Sequence, residues 1–360
     1  MTLYGLYPAE HFRIVRGDAA AGATLPQALW YFRDETVAVP ASGQPLAGFD
    51  RQRRLVDDLA AWHGRTAIGA EDGYPPLVWL GSPDALHQAR LAADGLTLTT
   101  ADGGPLPLQL APRLPLNRSW FDAGSLAFFH GQPLKLRGTR MADGFVARTF
   151  WPERFALPAA AETRAMAADP AALGEWLRAP DPARAPFAVE SVWRRPGSPE
   201  LAAGQPLLGL MLNGAQGDDD EAHSGHFALM TGRIGKAGAI DDWLVNNFYA
   251  LDSESEKGIL AAPVPLDNYL GDVNSGQAWY RPSWLLVARL REVRTAVHLQ
   301  AAVGRVYNHF YRHQFAYHHA RANCTGISVS TARALGWQVP ARGGENWSLA
   351  LLGLPLLALR

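Results

Sequence analysis

Residues 224–232 read Ser-Gly-His-Phe-Ala-Leu-Met-Thr-Gly, an apolar run that opens on a histidine and ends on a glycine. An apolar run of this length, preceded by a polar loop and closed by glycine, is typical of a buried β-strand. His226 then lies at the margin of the predicted sheet, where its ring can reach a neighbouring helix terminus. The alternative is an ordinary surface histidine that forms hydrogen bonds with its surroundings.

The next predicted strand, residues 243–251, carries two adjacent asparagines, Asn246 and Asn247. Asparagine is unfavourable in a sheet, so a pair of them needs a reason. A side-chain amide on this strand can accept the imidazole N–H of His226 and so fix the tautomer of the ring. This is the third role in a Cys-His site, and the pattern leaves both asparagines as candidates.

Residues 321–336 read Arg-Ala-Asn-Cys-Thr-Gly-Ile-Ser-Val-Ser-Thr-Ala-Arg-Ala-Leu-Gly and contain the only cysteine, Cys324. Asn323 is a good N-cap residue, so we expect a helix from about Cys324 to Leu335 that stops at Gly336. At the positive end of a helix the amides and the dipole favour the reactive thiolate and offer donors to an oxyanion. The alternative is that Cys324 is a small buried hydrophobic residue.

These segments, in this order, resemble a known family. A Gly-His strand, an Asn-aromatic strand and then Asn-Cys on a helix are similar to the circularly permuted branch of the papain-like NlpC/P60 hydrolases, in which the histidine precedes the cysteine. Residues 224–234, 245–251 and 317–325 look most like the periplasmic domain of a bacterial lipoprotein N-acyltransferase family. The resemblance covers roughly residues 205–340. It implies that Cys324 is the nucleophile, His226 the base and Asn247 the orienting group, with Asn246 as the other candidate.

A metal site is the main competing interpretation. His223 and His226 are three residues apart beside an acidic run, and clusters of histidine and carboxylate can hold zinc or another divalent ion. The acidic run follows glycines and is typical of a solvated loop, and the histidines before Cys324 do not keep one helical face. We therefore expect no metal and no cofactor. The residues concerned are Asp218, Asp219, Asp220, Glu221, His223, His226, His309, His313, His318 and His319.

Composition excludes several function classes. The chain is 48% hydrophobic and 19% charged with a net charge of −1, so it is globular and has no dense basic run that would bind a row of phosphates. Nucleic acid is therefore not an expected partner. Phosphate-binding GxxxxGK loops, a GxGxxG after a strand, the GxSxG elbow and HExxH are missing, which argues against the usual kinase, dehydrogenase and serine esterase classes.

We expect an α+β protein in which a permuted papain-like catalytic domain is preceded by a mainly β amino-terminal region. The predicted divisions are a β region at 1–178, a Pro-rich linker at 179–204, the Cys-His domain at 205–345 and an apolar tail at 346–360. Predicted strands fall at 29–32, 77–80, 96–100, 126–129, 207–212, 226–234, 243–251 and 284–290. Predicted helices fall at about 50–64, from 169 to 177, and over the apolar repeat between Val293 and Tyr311.

Localisation is left open by the sequence. The first residues show no secretory signal, which makes the cytoplasm the default, although the resembling family faces the cell envelope. No run of about 20 apolar residues is present, so no bilayer-spanning helix is expected. The apolar stretch from Trp347 to Leu359 either packs on the body of the protein or contacts lipid or an acyl chain at a peripheral membrane surface.

The function expected is a thiol-dependent hydrolase or acyltransferase that forms an acyl-enzyme on Cys324. Its substrate would be an acyl-bearing lipid, a lipopeptide or a peptide. Two alternatives remain: a non-catalytic binding module on a papain-like scaffold, and a metal-dependent hydrolase that uses the histidine and aspartate cluster.

Overall fold

The computed structural model describes residues 26–32, 35–40, 77–78, 82, 84–113, 123–157, 175, 189, 191, 193–214, 225–250, 259, 261–279, 281–311, 316–318 and 322–339. Within these residues the chain is mixed α+β, which confirms that part of the predicted fold class. The strands form a three-stranded sheet, a closed five-stranded barrel and a five-stranded sheet. The predicted helices at 50–64 and 169–177 and the tail at 346–360 lie outside the described residues, apart from the helical residue Glu175.

The three-stranded sheet comes first in the chain and contains two of the predicted strands. Strand β1 (Pro26–Phe32) pairs in antiparallel fashion with β2 (Glu35–Pro40) and with β3 (Leu77–Val78), giving the order β2-β1-β3.

The barrel follows and has its own apolar core. Its strands run in the order β4-β5-β6-β8-β7, and β7 closes onto β4. Its strands are β4 (Asp84–Leu91), β5 (Thr97–Thr99), β6 (Pro105–Leu110), β7 (Pro133–Arg140) and β8 (Phe145–Pro152). Only β6 and β8 pair in parallel, and closure leaves the barrel without an open sheet edge. The core consists of buried leucines, phenylalanines and alanines together with Val273 from the carboxy-terminal half.

The predicted strand at 126–129 is wrong, because Ala123–Phe129 forms a helix, α1. A four-residue apolar run does not by itself distinguish a strand from a buried helix segment. Here Ser125 and Phe129, four residues apart, are the buried positions. The Phe129 ring packs against Phe150 at 5.5 Å and against Trp279 at 5.8 Å between ring centroids, so α1 packs on the core of the barrel.

The five-stranded sheet carries the segments that the sequence singled out. It is antiparallel, with the order β12-β11-β10-β9-β13, so β10 is its central strand. Its strands are β9 (Pro206–Asn213), β10 (His226–Arg233), β11 (Leu244–Asn246), β12 (Pro263–Pro265) and β13 (Ser283–Arg289).

The strands predicted at 207–212, 226–234 and 284–290 are confirmed within one or two residues. The strand predicted at 243–251 is too long, because regular pairing ends at Asn246. Its partner β12 offers only three residues, and the side chain of Asn247 turns towards His226.

Three helices complete this half. Helix α2 (Leu266–Gly271) follows β12, the long α3 (Val293–Tyr311) packs against β9 and β10, and α4 (Cys324–Ala334) packs against β10. The helices predicted from the apolar repeat and from Asn323 are confirmed. Gly336, at a φ of +81°, follows the end of α4 as expected for a glycine that terminates a helix. No described helix is both long and apolar enough to cross a membrane.

The barrel and the five-stranded sheet are joined by a polar segment that follows α2. Asp272 accepts a bond of 2.6 Å from the Arg148 Nε of β8, and the amide of Val273 donates to the Arg148 carbonyl at 2.8 Å. The Asn268 amide reaches the Thr149 hydroxyl at 3.3 Å. These bonds fix α2 against the barrel and place the barrel beside the sheet that carries His226.

Candidate functional site

His226 is the first residue of β10 and is almost fully buried, with 2% of its surface exposed. The residue before it, Gly225, has a φ of +72°, a left-handed conformation that glycine adopts without a steric penalty. This turn brings the chain into the central strand opposite Asn213 of β9. His226 is therefore not the surface histidine that was the alternative.

The imidazole of His226 is oriented by Asn247. The ring Nε2 lies 2.8 Å from Asn247 Oδ1, and both side chains are buried. A carboxamide oxygen only accepts hydrogen bonds, so Nε2 carries the proton and donates it. In the neutral ring, Nδ1 then holds the lone pair that can accept a proton from a nucleophile.

Asn246 has a different role, although it is the immediate neighbour of Asn247. Its Oδ1 accepts from Gln300 Nε2 of α3 at 2.8 Å, and its Nδ2 donates to Gln300 Oε1 at 3.2 Å and to the Leu229 carbonyl at 3.1 Å. The Thr231 hydroxyl donates to the same Gln300 oxygen at 2.6 Å. This buried polar network joins α3 to β10 and β11, so Asn246 contributes to the packing of the sheet.

The two asparagines should therefore respond differently to truncation. Asn247→Ala is expected to slow alkylation of Cys324 at about pH 6 by about 10- to 100-fold, by analogy with the loss found when the partner that orients a metal-binding imidazole is removed. Asn246→Ala removes the acceptor of the buried Gln300 Nε2 and is expected to cost about 1–3 kcal/mol of unfolding free energy. Iodoacetamide labelling and urea denaturation of both variants measure the two effects. If instead Asn246→Ala slowed alkylation and Asn247→Ala only lowered stability, the roles of the two asparagines would be exchanged.

Cys324 occupies the first position of α4, and 7% of its surface is exposed. The N-cap is formed as predicted, since the Asn323 side chain accepts from the Gly326 amide at 2.8 Å. The first helical bond runs from the Ile327 amide to the Asn323 carbonyl at 2.9 Å. The helix itself offers no acceptor to the amides of its first turn, so the end of α4 that bears the thiol favours negative charge.

The backbones of His318 and Ala322 are paired shortly before Cys324. The His318 amide donates to the Ala322 carbonyl at 3.1 Å, and the Ala322 amide donates back to His318 at 2.9 Å. Tyr317 directly precedes His318 and lies seven positions before Cys324. The position of Tyr317 therefore marks where the start of α4 lies.

Two tyrosines pack beside the imidazole, and a third stacks on one of them. The rings of Tyr249 and Tyr269 lie 5.9 Å and 6.4 Å from the ring of His226, and Tyr317 stacks on Tyr249 at 6.1 Å with an interplanar angle of 11°. The Tyr269 hydroxyl donates to the side chain of Asn213. Because Tyr317 adjoins His318, which is bonded to Ala322 just before α4, this row of rings places the start of α4 and the start of β10 at the same end of the sheet.

Sequence reasoning missed these tyrosines. A usable signal existed for two of them, since Tyr249 follows the orienting asparagine by two residues and Tyr317 lies in the Tyr-His-His segment before Cys324. Tyr269 and Asn213 had no such signal, because only the sheet and α2 bring them to His226.

Among the described residues, Asp241, Asp242 and Asp267 lie close enough together to share a metal ion. Two cations already lie between them. Lys135 Nζ is 3.1 Å from Asp267 Oδ2 and 3.0 Å from Asp242 Oδ1 and pairs with Asp241, while Arg137 Nε donates to Asp267 at 2.6 Å. We therefore assign these five residues as an ion-pair cluster, which links β7 of the barrel to the β11 and α2 region.

The electrostatics of this cluster follow from burial and charge. Burial alone lowers the pKa of Lys135, but the carboxylates of Asp267, Asp242 and Asp241 outweigh it and hold that pKa above its ordinary value. Burial raises the pKa of Asp241 despite the attraction of Lys135. The cluster was not foreseen from the sequence, in which its two halves are more than 100 residues apart.

The histidine and aspartate cluster proposed as an alternative metal site falls largely on undescribed positions. Residues 218–221, His223, His313 and His319 lie outside the described residues. Of the others, His226 is bound to Asn247, His309 is buried on α3, and His318 is exposed in the turn before α4.

Comparisons with protein-family models, with curated proteins and with solved structures find no match to this chain.

Proposed function

We propose that the chain is a thiol-dependent hydrolase or acyltransferase on a permuted papain-like domain, with Cys324 as nucleophile, His226 as base and Asn247 as orienting residue. The observation that carries the proposal is the bond from His226 Nε2 to Asn247 Oδ1, which leaves Nδ1 as the proton acceptor. A base whose tautomer is fixed by a third group is the arrangement that Cys-His catalysis needs. Cys324 at a capped helix N-terminus supplies the second part.

In the proposed reaction, Nδ1 of His226 takes the proton of the Cys324 thiol. The thiolate forms a bond to the carbonyl carbon of an amide, ester or thioester, and the carbonyl electron pair moves to oxygen, where first-turn amides of α4 stabilise the charge. The bond to the leaving group then breaks, and the imidazolium proton goes to that group. Water or an amine next attacks the thioester, gives its proton to His226 and releases the thiolate.

The acyl-enzyme gives the direct test of this function. Incubation with p-nitrophenyl butyrate is expected to release nitrophenolate and to leave a butyryl mass on the peptide that contains Cys324, because a thioester intermediate must form. Neutral hydroxylamine should remove that mass, and Cys324→Ala should never carry it. Parallel incubations with bacterial phospholipids, lipopeptides and cell-wall peptides, quenched at low pH, then identify the natural acyl group by its mass.

The adduct distinguishes the substrate classes. A long fatty acyl mass supports acyl transfer from lipid, whereas an aminoacyl or peptidyl mass supports an amidase. A bare Cys324 in every incubation, together with a thiol that resists alkylation in the folded protein, would contradict the enzyme and support the binding-module alternative. Both Cys324 and His226 are buried. The binding-module alternative therefore predicts a thiol that resists alkylation in the folded protein.

A further inference from the structure

We propose that the stacked rings of Tyr249 and Tyr317, here called the site mouth, control the size of the group that reaches Cys324 and so select narrow, uncharged acyl donors. The proposal rests on the proposed function for its chemistry. The effect of the site mouth on access to the Cys324 thiol is measured with alkylating reagents, which require no acyl transfer.

Exposure decreases along the row of rings towards the imidazole. Tyr317 is partly buried, Tyr249 is 6% exposed and His226 is 2% exposed. Each ring contacts the next, at 6.1 Å between the two tyrosines and 5.9 Å between Tyr249 and His226. Tyr317 is therefore the outer member of a continuous aromatic path that ends at the proposed base.

Both tyrosines are tied to the chemical groups by short chain connections. Tyr249 follows Asn247 by two residues, and Tyr317 directly precedes His318, whose backbone is bonded to that of Ala322, two residues before Cys324. The bond between Asn247 and His226 does not involve Tyr317, so a substitution of Tyr317 changes the outer end of the row and leaves that bond in place. Tyr317 is accordingly the residue that sets the width of the mouth.

Tyr269 does not share this role. It is buried, and its hydroxyl is bound to Asn213, which also donates to the Ser283 hydroxyl at 2.6 Å. Tyr269 thus forms a fixed inner side of the site. The described rings in contact with His226 are uncharged, which suits a neutral acyl group.

The test compares the wild type with Tyr317→Ala and Tyr317→Phe. Because Cys324 is the only cysteine, thiol labelling reports on this residue alone. Rates are measured with iodoacetamide and with the bulky, uncharged N-(1-pyrenyl)maleimide at about pH 8.5, where an unperturbed thiol is half ionised even without a base. Both reagents meet the same ionisation state of Cys324, so the ratio of their rates does not depend on His226. Tyr317→Ala is expected to raise the ratio of pyrenylmaleimide to iodoacetamide rates by about tenfold, the effect of deleting an aromatic pair, and Tyr317→Phe to leave the ratio unchanged.

Two results would contradict the proposed role of the site mouth. One is an unchanged rate ratio in Tyr317→Ala, and the other is an equal rise of both rates, which indicates general loosening of the fold. Thermal unfolding of the three proteins identifies that loosening independently. Failure of the proposed function gives a different result. In that case no acyl-enzyme forms and His226→Ala has no effect at acid pH, while the ratio of the two labelling rates still responds to Tyr317.

Discussion

Replacing His226 with alanine is expected to slow acylation of Cys324 at about pH 6–7 by about 10²- to 10⁴-fold, the contribution of a positioned general base. The physical reason is that, in the proposed mechanism, Nδ1 of His226 accepts the thiol proton, while Asn247 holds the ring through the 2.8 Å bond at Nε2. The burst of nitrophenolate from p-nitrophenyl butyrate measures the acylation rate. Cys324→Ala defines the background, since it removes the nucleophile.

The pH dependence of this variant separates a base from a structural histidine. Without His226 the acylation rate should rise only as the free thiol ionises, at about pH 8.5, whereas the wild type should react well below that value. His318→Ala is the matched control, because this exposed histidine lies six residues before Cys324. Equal losses in both variants, or a pH profile unchanged by His226→Ala, would remove His226 from the mechanism.

Replacing Lys135 with methionine is expected to lower the free energy of unfolding by about 3–5 kcal/mol, the usual effect of removing one partner from a buried ion pair. Lys135 is buried within hydrogen-bonding range of three carboxylates, and Asp267 among them is fully buried. Without the ammonium group, Asp267 keeps only Arg137 as a cationic partner. Urea denaturation at neutral pH measures the change.

The pH range of this stabilisation follows from the pKa of Lys135. Its folded pKa lies above the ordinary value of 10.5, so the contribution is fully present below that pH and is lost as the pH rises through the folded value. The difference between wild type and Lys135→Met should therefore stay constant from neutral pH to about pH 10 and shrink above it. Lys236→Met, at an exposed lysine in the turn after β10, should change stability by less than about 0.5 kcal/mol. A Lys135→Met protein as stable as the wild type would show that the cluster does not hold the barrel to the sheet.

Local signals predicted most of the carboxy-terminal elements. Helix α4 needed only Asn323 as a cap and Gly336 as a stop, and β9, β10 and β13 needed only apolar runs bounded by turn residues. The elements of the amino-terminal region were harder to predict from the sequence, because their apolar runs are short. The helix at Ala123–Phe129 was mistaken for a strand since four apolar residues carry no clear period.

The sequence did not predict that the strands close into a barrel. Strand β6 pairs in parallel with β8 across the helix and hairpin between them, and β4 pairs with β7. Neither pairing leaves a local pattern, because register and partner choice depend on which faces are buried together. The cluster around Lys135 was missed for the same reason.

For the candidate site, the sequence by itself determined the residue types and their order: a glycine and a histidine that open a strand, two asparagines on the next strand, and a cysteine after a helix cap. These depend on short-range geometry, which a local pattern records. Tertiary structure alone decided that Asn247 holds the imidazole while Asn246 binds Gln300. It also decided that Tyr249 and Tyr269 pack beside His226 and that Tyr317 stacks on Tyr249. The physical reason is that adjacent residues at the end of a strand point in opposite directions, so only the packing of α3 on one face of the sheet assigns each amide its partner.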